Sequence, residues 1–120
     1  MNFDVTEEQR EPGVHVVRLS GQFDFSHVAR ARATINQRIE DGARLIIVNL
    51  DELDYIDSAG LGVLVGTLAR LREREGELAV VCRAPRIRRV FDITKLTQLL
   101  AVYDTEEDAL GHKSTTFTSP

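Results

Sequence analysis

Residues 45–64, LIIVNLDELDYIDSAGLGVL, hold the passage from which the fold is read. Leu45-Ile46-Ile47-Val48 is a continuous apolar run, the pattern of a strand covered on both faces, as the central strands of parallel sheets are. From Ser58 onward Leu61, Leu64, Leu68 and Leu71 recur at helical spacing, and the charged Arg72-Glu73-Arg74-Glu75 closes the helix before Gly76. At the junction stands Ser58, directly after Asp57 and ahead of Gly60 and Gly62.

Upstream, Phe3 to Glu8 and Val14 to Leu19 read as strands joined through Arg10-Glu11-Pro12-Gly13. Proline presets φ there and glycine accepts the positive φ of a tight turn, so the chain opens with a hairpin. After Ser20-Gly21, an amphipathic helix is predicted, with Val28, Ala31, Ile35 and Ile39 on one face, Ser26 as candidate cap and Gly42 as stop. Downstream, Leu78 to Cys82 is a second covered strand, and Pro85 suits the first position of a short helix that buries Ile87, Val90 and Phe91. Leu99 to Tyr103 reads as an edge strand, and Asp104-Thr105-Glu106-Glu107 as the capped start of a terminal helical turn through Leu110. The order β-β-α-β-α-β-α-β-α predicts an α/β fold: one mixed sheet of about five strands with helices packed against it. The domain is expected over residues 1–110, with 111–120 as a flexible tail.

With 120 residues and 42% of them hydrophobic, the chain suits one globular domain with a single core. No apolar run is long enough to span a bilayer and the N-terminus has no signal-like segment, so a cytoplasmic protein without membrane contact is expected. Cys82 is the one cysteine, which leaves no internal disulfide and no zinc knuckle and makes it a candidate core thiol. A net charge of −4 argues against nucleic acid as partner. The four arginines of RAPRIRR, residues 83–89, read as the solvated face of a short helix or as a surface for an acidic partner.

Ser58 has several readings. A hydrolase serine needs a base and commonly sits in G-x-S-x-G, whereas the local string is IDSAG and His15, His27 and His112 fall in a strand, at a helix start and near the end of the chain. Gly60, Gly62 and Gly66 are spaced G-x-G-x-x-x-G inside the helix pattern, not as a dinucleotide loop, and no G-K-[ST] of a phosphate loop occurs. With no paired carboxylates, metal cluster or cofactor loop, no enzyme activity, cofactor or metal is expected. As a helix N-cap, Ser58 would contribute about 0.5–2 kcal/mol. A serine at the end of a central parallel strand also lies on the edge where open α/β sheets display ligand sites. A phosphate there would be welcomed by the helix terminus yet disturb a docked partner.

Leu19–Asp24 (LSGQFD), Ile46–Leu64, Gly76–Cys82 (GELAVVC), Arg88–Leu96 (RRVFDITKL) and the closing DTEEDAL together resemble the STAS domain, in particular the stand-alone bacterial anti-sigma-factor antagonists. The resemblance spans about residues 3 to 110 in the family's order, and its most specific piece is D-S-x-G-L-G behind an apolar strand. It implies a partner-switching protein that, unmodified, binds an anti-sigma factor of the GHKL serine-kinase type and thereby frees a sigma factor. Phosphorylation by that kinase, on the serine after the motif's Asp and hence on Ser58, would end the complex, and a PP2C-type phosphatase would restore it. The implied partner-binding residues are Asp24, Asp57, Ser58, Ala59, Gly60 and Leu61. Three positions depart from the family's pattern: Gln22 where Glu is common, Ala59 where Ser or Thr is frequent, and Lys95 where a glycine often supports positive φ. Two rivals are a receiver domain, with Asp51, Asp54 or Asp57 as phosphoacceptor, and a STAS module serving as scaffold or small-ligand-binding subunit. The opening hairpin speaks against the receiver, which begins β-α.

Overall fold

A computed structural model describes residues 2–118, with side chains described through residue 112. Its elements follow the expected order: β1 (Phe3–Glu11), β2 (Val14–Phe23), α1 (Val28–Glu40), β3 (Leu45–Ile56), α2 (Ser58–Arg72), β4 (Glu77–Val81), α3 (Pro85–Ile93), β5 (Ala101–Tyr103) and α4 (Glu106–Thr118). One turn of 3-10 helix, Leu96–Gln98, precedes β5. The strands lie in sequence order, β1 antiparallel to β2 and every later neighbour parallel. The sheet is thus mixed, with β3 in its centre.

The continuous run in β3 is two-sided as expected. Ile46 and Val48 join the larger core with Ile35 and Ile39 of α1, Leu64 and Leu68 of α2 and Phe91 of α3. Leu45 and Ile47 face the other way, onto a smaller core closed by Ala109 of α4. Three helices therefore cover one face and α4 covers part of the opposite one. Cys82 is fully buried, and burial pushes its thiol pKa up, as suits a neutral core side chain.

Several boundaries move. Both hairpin strands are longer than the apolar pattern suggests, because ladder pairing carries polar residues along. β2 runs through Ser20-Gly21 to Phe23 with irregular register against β3, and Gly21 takes φ +88. A Cβ on Gly21 would stand 2.1 Å from the Asn2 carbonyl oxygen, so only glycine fits under the start of β1. Leu99 does not enter β5, since the 3-10 turn takes up its approach. α4 continues past Leu110 to Thr118, through most of the stretch expected as a tail; residues 119–120 lie outside the described residues.

α1 ends in a Schellman motif, with the Ala43 N–H bonded to the Arg38 carbonyl and the Gly42 N–H to that of Ile39. α2 ends the same way, the Gly76 N–H reaching the Leu71 carbonyl and the Glu75 N–H that of Arg72. Here Glu75, not Gly76, takes the left-handed conformation, at φ +62. Lys95 also stands at φ +62, so the left-handed turn expected at that position is kept without its glycine.

Candidate functional site

The C-terminal ends of β2 and β3 pair in parallel, Phe23 opposite Ile56, which sets the turn after β2 beside the start of α2. Asp57 joins the two. Its backbone is extended, and its Oδ1 accepts the Gly60 N–H at 3.0 Å. That is the N-cap geometry, so the cap of α2 is Asp57 and Ser58 is the first helical residue, a correction to the capping role read for Ser58. The carboxylate wins because it stands three residues before a free N–H and carries negative charge at the positive end of the helix. Its other oxygen, Oδ2, accepts the Phe25 N–H at 3.0 Å, and the Asp57 N–H donates to the Phe23 carbonyl at 3.3 Å.

Asp24 organises the facing turn. Its Oδ1 accepts the Ser26 N–H at 3.0 Å and lies 2.9 Å from His27 Nδ1. That nitrogen is also 2.9 Å from the Gln22 carbonyl, so it faces two acceptors and carries its proton. The His27 ring stacks on Phe3, centroids 5.0 Å apart, and Phe3 stacks in turn on Phe23. The expected cap Ser26 does not cap α1. The helix begins one residue later, behind His27 and without a side-chain cap, because Ser26 is taken up in the turn that Asp24 closes.

Ser58 is exposed, and among the described residues its hydroxyl has no hydrogen-bond partner. No histidine is hydrogen-bonded to it: His27 is engaged by Gln22 and Asp24, and His112 by Tyr103. Ala59 and Leu61 are half-buried against the larger core, and Gly60 is buried. A Cβ on Gly60 would meet the Phe23 carbonyl oxygen at 2.6 Å, whereas one on Gly62 or Gly66 would meet nothing within 4 Å. Close backbone approach thus accounts for the first glycine of the motif and not for the other two.

Along the second half of β3 both signs of charge are present, Arg83 lining a cleft with Asp51 and Glu52 and Arg86 one with Asp54. Glu52 and Asp54 are exposed, and Asp51 accepts the Arg83 N–H at 2.7 Å. Phe25 is 80% exposed and Tyr55 49%, two of the four large apolar side chains left in solvent among the described residues. Of the arginines in residues 83–89, Arg88 has a structural task, donating to the Cys82 carbonyl and to Asp104, both at 2.9 Å. Among the described residues no group of three or more His, Cys, Asp or Glu side chains is placed to hold a metal ion, and no helix is long and apolar enough to cross a membrane.

The sequence placed Asp24, Asp57 and Ser58 as separate motif positions, and the structure brings all three to one edge. Phe25 and His27 were missed. Within the sequence, the signal for Phe25 was an aromatic residue in an otherwise polar turn.

A family model described as the STAS domain matches residues 6–109. An anti-sigma-B factor antagonist of Staphylococcus aureus is 34% identical over 107 residues, which cover 89% of this chain and 96% of that protein. Among solved structures, an anti-sigma factor antagonist from Mycobacterium paratuberculosis superposes with a TM-score of 0.83 at 28% identity, covering 92% and 93% of the two chains. The phosphorylated form of the Bacillus cell fate determinant SpoIIAA gives a TM-score of 0.71 at 30% identity, covering 91% and 98%.

Proposed function

The chain belongs to the STAS domain family, and from that premise we propose that it is a cytoplasmic anti-sigma-factor antagonist switched by phosphorylation of Ser58. With Ser58 bare, it binds an anti-sigma factor that is also a GHKL-type serine kinase, and so releases a sigma factor. The observation that carries the reading is the state of Ser58: exposed, free of the capping role that Asp57 performs, and at the first position of a helix. Such a hydroxyl is open to modification without loss of an internal bond. The named relatives, one of them a phosphorylated form, support the same reading.

In the kinase, the Ser58 Oγ attacks the γ-phosphorus of ATP, the bond to the β–γ bridging oxygen breaks, ADP leaves, and the hydroxyl proton passes to a base of the kinase. The product places a group of about −1.5 to −2 charge beside the phosphates of ADP. Like charges juxtaposed at an interface cost several kcal/mol, and each 1.4 kcal/mol is about tenfold in affinity. The complex therefore parts while the domain stays folded, since an anion at a helix N-terminus is itself favourable by about 0.3–1 kcal/mol. Hydrolysis of the phosphoserine by a PP2C-type phosphatase, releasing inorganic phosphate, resets the switch.

The test is incubation with ATP and each GHKL-type anti-sigma kinase of the host, read by intact mass and peptide mapping. One added phosphate on Ser58, absent in Ser58→Ala, is the expected result. The same mass gain in Ser58→Ala would assign the modification elsewhere and refute the reading.

A further inference from the structure

We propose that the cleft between α1 and α2 is a binding site for a small phosphate-bearing ligand, its phosphate clamped between Arg32 of α1 and Arg70 of α2. Ser58 does not line this cleft, so the inference stands apart from the switch.

The cleft holds about 190 Å³, with Arg32 and Asn36 on one wall and Gly62, Gly66, Thr67 and Arg70 on the other. Its free polar groups are mainly donors. Asn36 Oδ1 accepts from Arg70 Nη1, which leaves the Asn36 amide nitrogen to donate. The Thr67 hydroxyl donates to the Val63 carbonyl at 2.7 Å. No carboxylate lines the cleft, and among the described residues Arg32 has neither a hydrogen bond nor an ion pair. Arg70 pairs with Glu40 at 3.5 Å, but Glu40 is shared with Arg74 at 3.1 Å, so the pairing leaves a positive charge over beside that of Arg32. A donor-rich, cationic cleft selects an acceptor-rich anion, and the planar guanidinium matches the oxygens of phosphate in pairs. The clefts beside Arg83 and Arg86 hold carboxylates as well, which would repel the same ligand.

Gly62 and Gly66 supply the approach. Both are exposed within α2, where glycine is a poor helix former, and a Cβ on either would meet nothing within 4 Å. No close approach among the described residues requires them. The open space over them belongs to the cleft they line, and the bare backbone lets a ligand come into contact with α2. The volume lies below the roughly 300–1,000 Å³ of ordinary small-molecule pockets, so the ligand is little more than a phosphate on a short stem.

The experiment is titration of the isotope-labelled chain with inorganic phosphate and, separately, with glycerol phosphate at constant ionic strength, followed by amide chemical shifts. Wild type is compared with Arg32→Gln, Arg70→Gln, Gly66→Leu and, as a control outside the cleft, Arg89→Gln, each variant also melted. Saturable shifts around Gly62 and Gly66 are expected in wild type and Arg89→Gln. Affinity should fall at least about tenfold in Arg32→Gln and Arg70→Gln. Binding should be lost in Gly66→Leu, which fills the cleft while its melting temperature holds or rises. Tighter binding of the ester marks a phosphorylated small molecule as the ligand, and equal binding marks phosphate itself. Shifts that are absent or fail to saturate in wild type, or that persist undiminished in Arg32→Gln and Gly66→Leu, overturn the site.

Discussion

Asp57 and Phe25 lie 32 residues apart in the chain, yet the Asp57 Oδ2 accepts the Phe25 N–H at 3.0 Å while Oδ1 caps α2 through Gly60. One carboxylate thus closes the helix and ties to it the turn that follows β2.

Asp57→Ala removes both bonds. Loss of an N-cap alone is about 0.5–2 kcal/mol, and loss of the turn contact adds to it, so destabilisation of about 2 kcal/mol is expected in urea unfolding. Asp57→Asn, which keeps an acceptor at the cap, should recover most of this.

Ser58→Asp should leave the melting temperature nearly unchanged, because Ser58 makes no side-chain bond within the described residues. Binding to the anti-sigma kinase should fall at least tenfold by calorimetry, with aspartate carrying less charge than phosphate. Undiminished affinity would refute the electrostatic account of release.

Gly60→Ala should destabilise by about 1–3 kcal/mol, as a crowded Cβ forces the backbone to shift. Its Cβ would lie 2.6 Å from the Phe23 carbonyl oxygen. Gly62→Ala and Gly66→Ala, in the same helix with open space at the added carbon, should each stabilise by about 0.8–1 kcal/mol. Thermal unfolding of the three variants reads opposite signs.

Glu75→Gly and Lys95→Gly should each stabilise by about 0.5–1 kcal/mol, since a left-handed L-residue is disfavoured by about 1–2 kcal/mol and glycine returns part of that in chain entropy. The effects should add, because the two positions end different helices.

Stability should fall with acid through Glu106. Its carboxylate accepts two bonds from Arg18, both 2.8 Å, and one from Asn49 at 2.7 Å, and the Arg18 bonds foremost hold its pKa below the ordinary 4.5. A depressed carboxylate contributes stability above its unfolded value, and that contribution is lost as pH drops from there through the folded value. Glu106→Gln should therefore be less stable than wild type at pH 7, by about 1.5 kcal/mol, and the gap should close as pH falls below about 4. Urea unfolding across that range measures it.

The order of elements, the central place of β3 and the junction at Ser58 were legible because apolar periodicity follows from local backbone geometry. The left-handed turn at Lys95 was legible only through the resemblance, in which a glycine is usual at that position. The capping of α2 was half legible, since Asp57 and Ser58 are adjacent and both suit a cap, and only the fold, with Gly60 pressed on Phe23, shows which of them reaches the free N–H.

What the sequence determined by itself, then, was which segments become strands and helices and where a hydroxyl follows a strand end. The tertiary structure alone decided that Asp57 holds the Phe25 N–H, that Phe25 is left in solvent, that α4 takes the second face of the sheet, and that Glu106 gathers Arg18 across 88 residues. The reason is range: periodicity and turn chemistry are set among near neighbours, whereas these contacts depend on the register of paired strands, which no local pattern records.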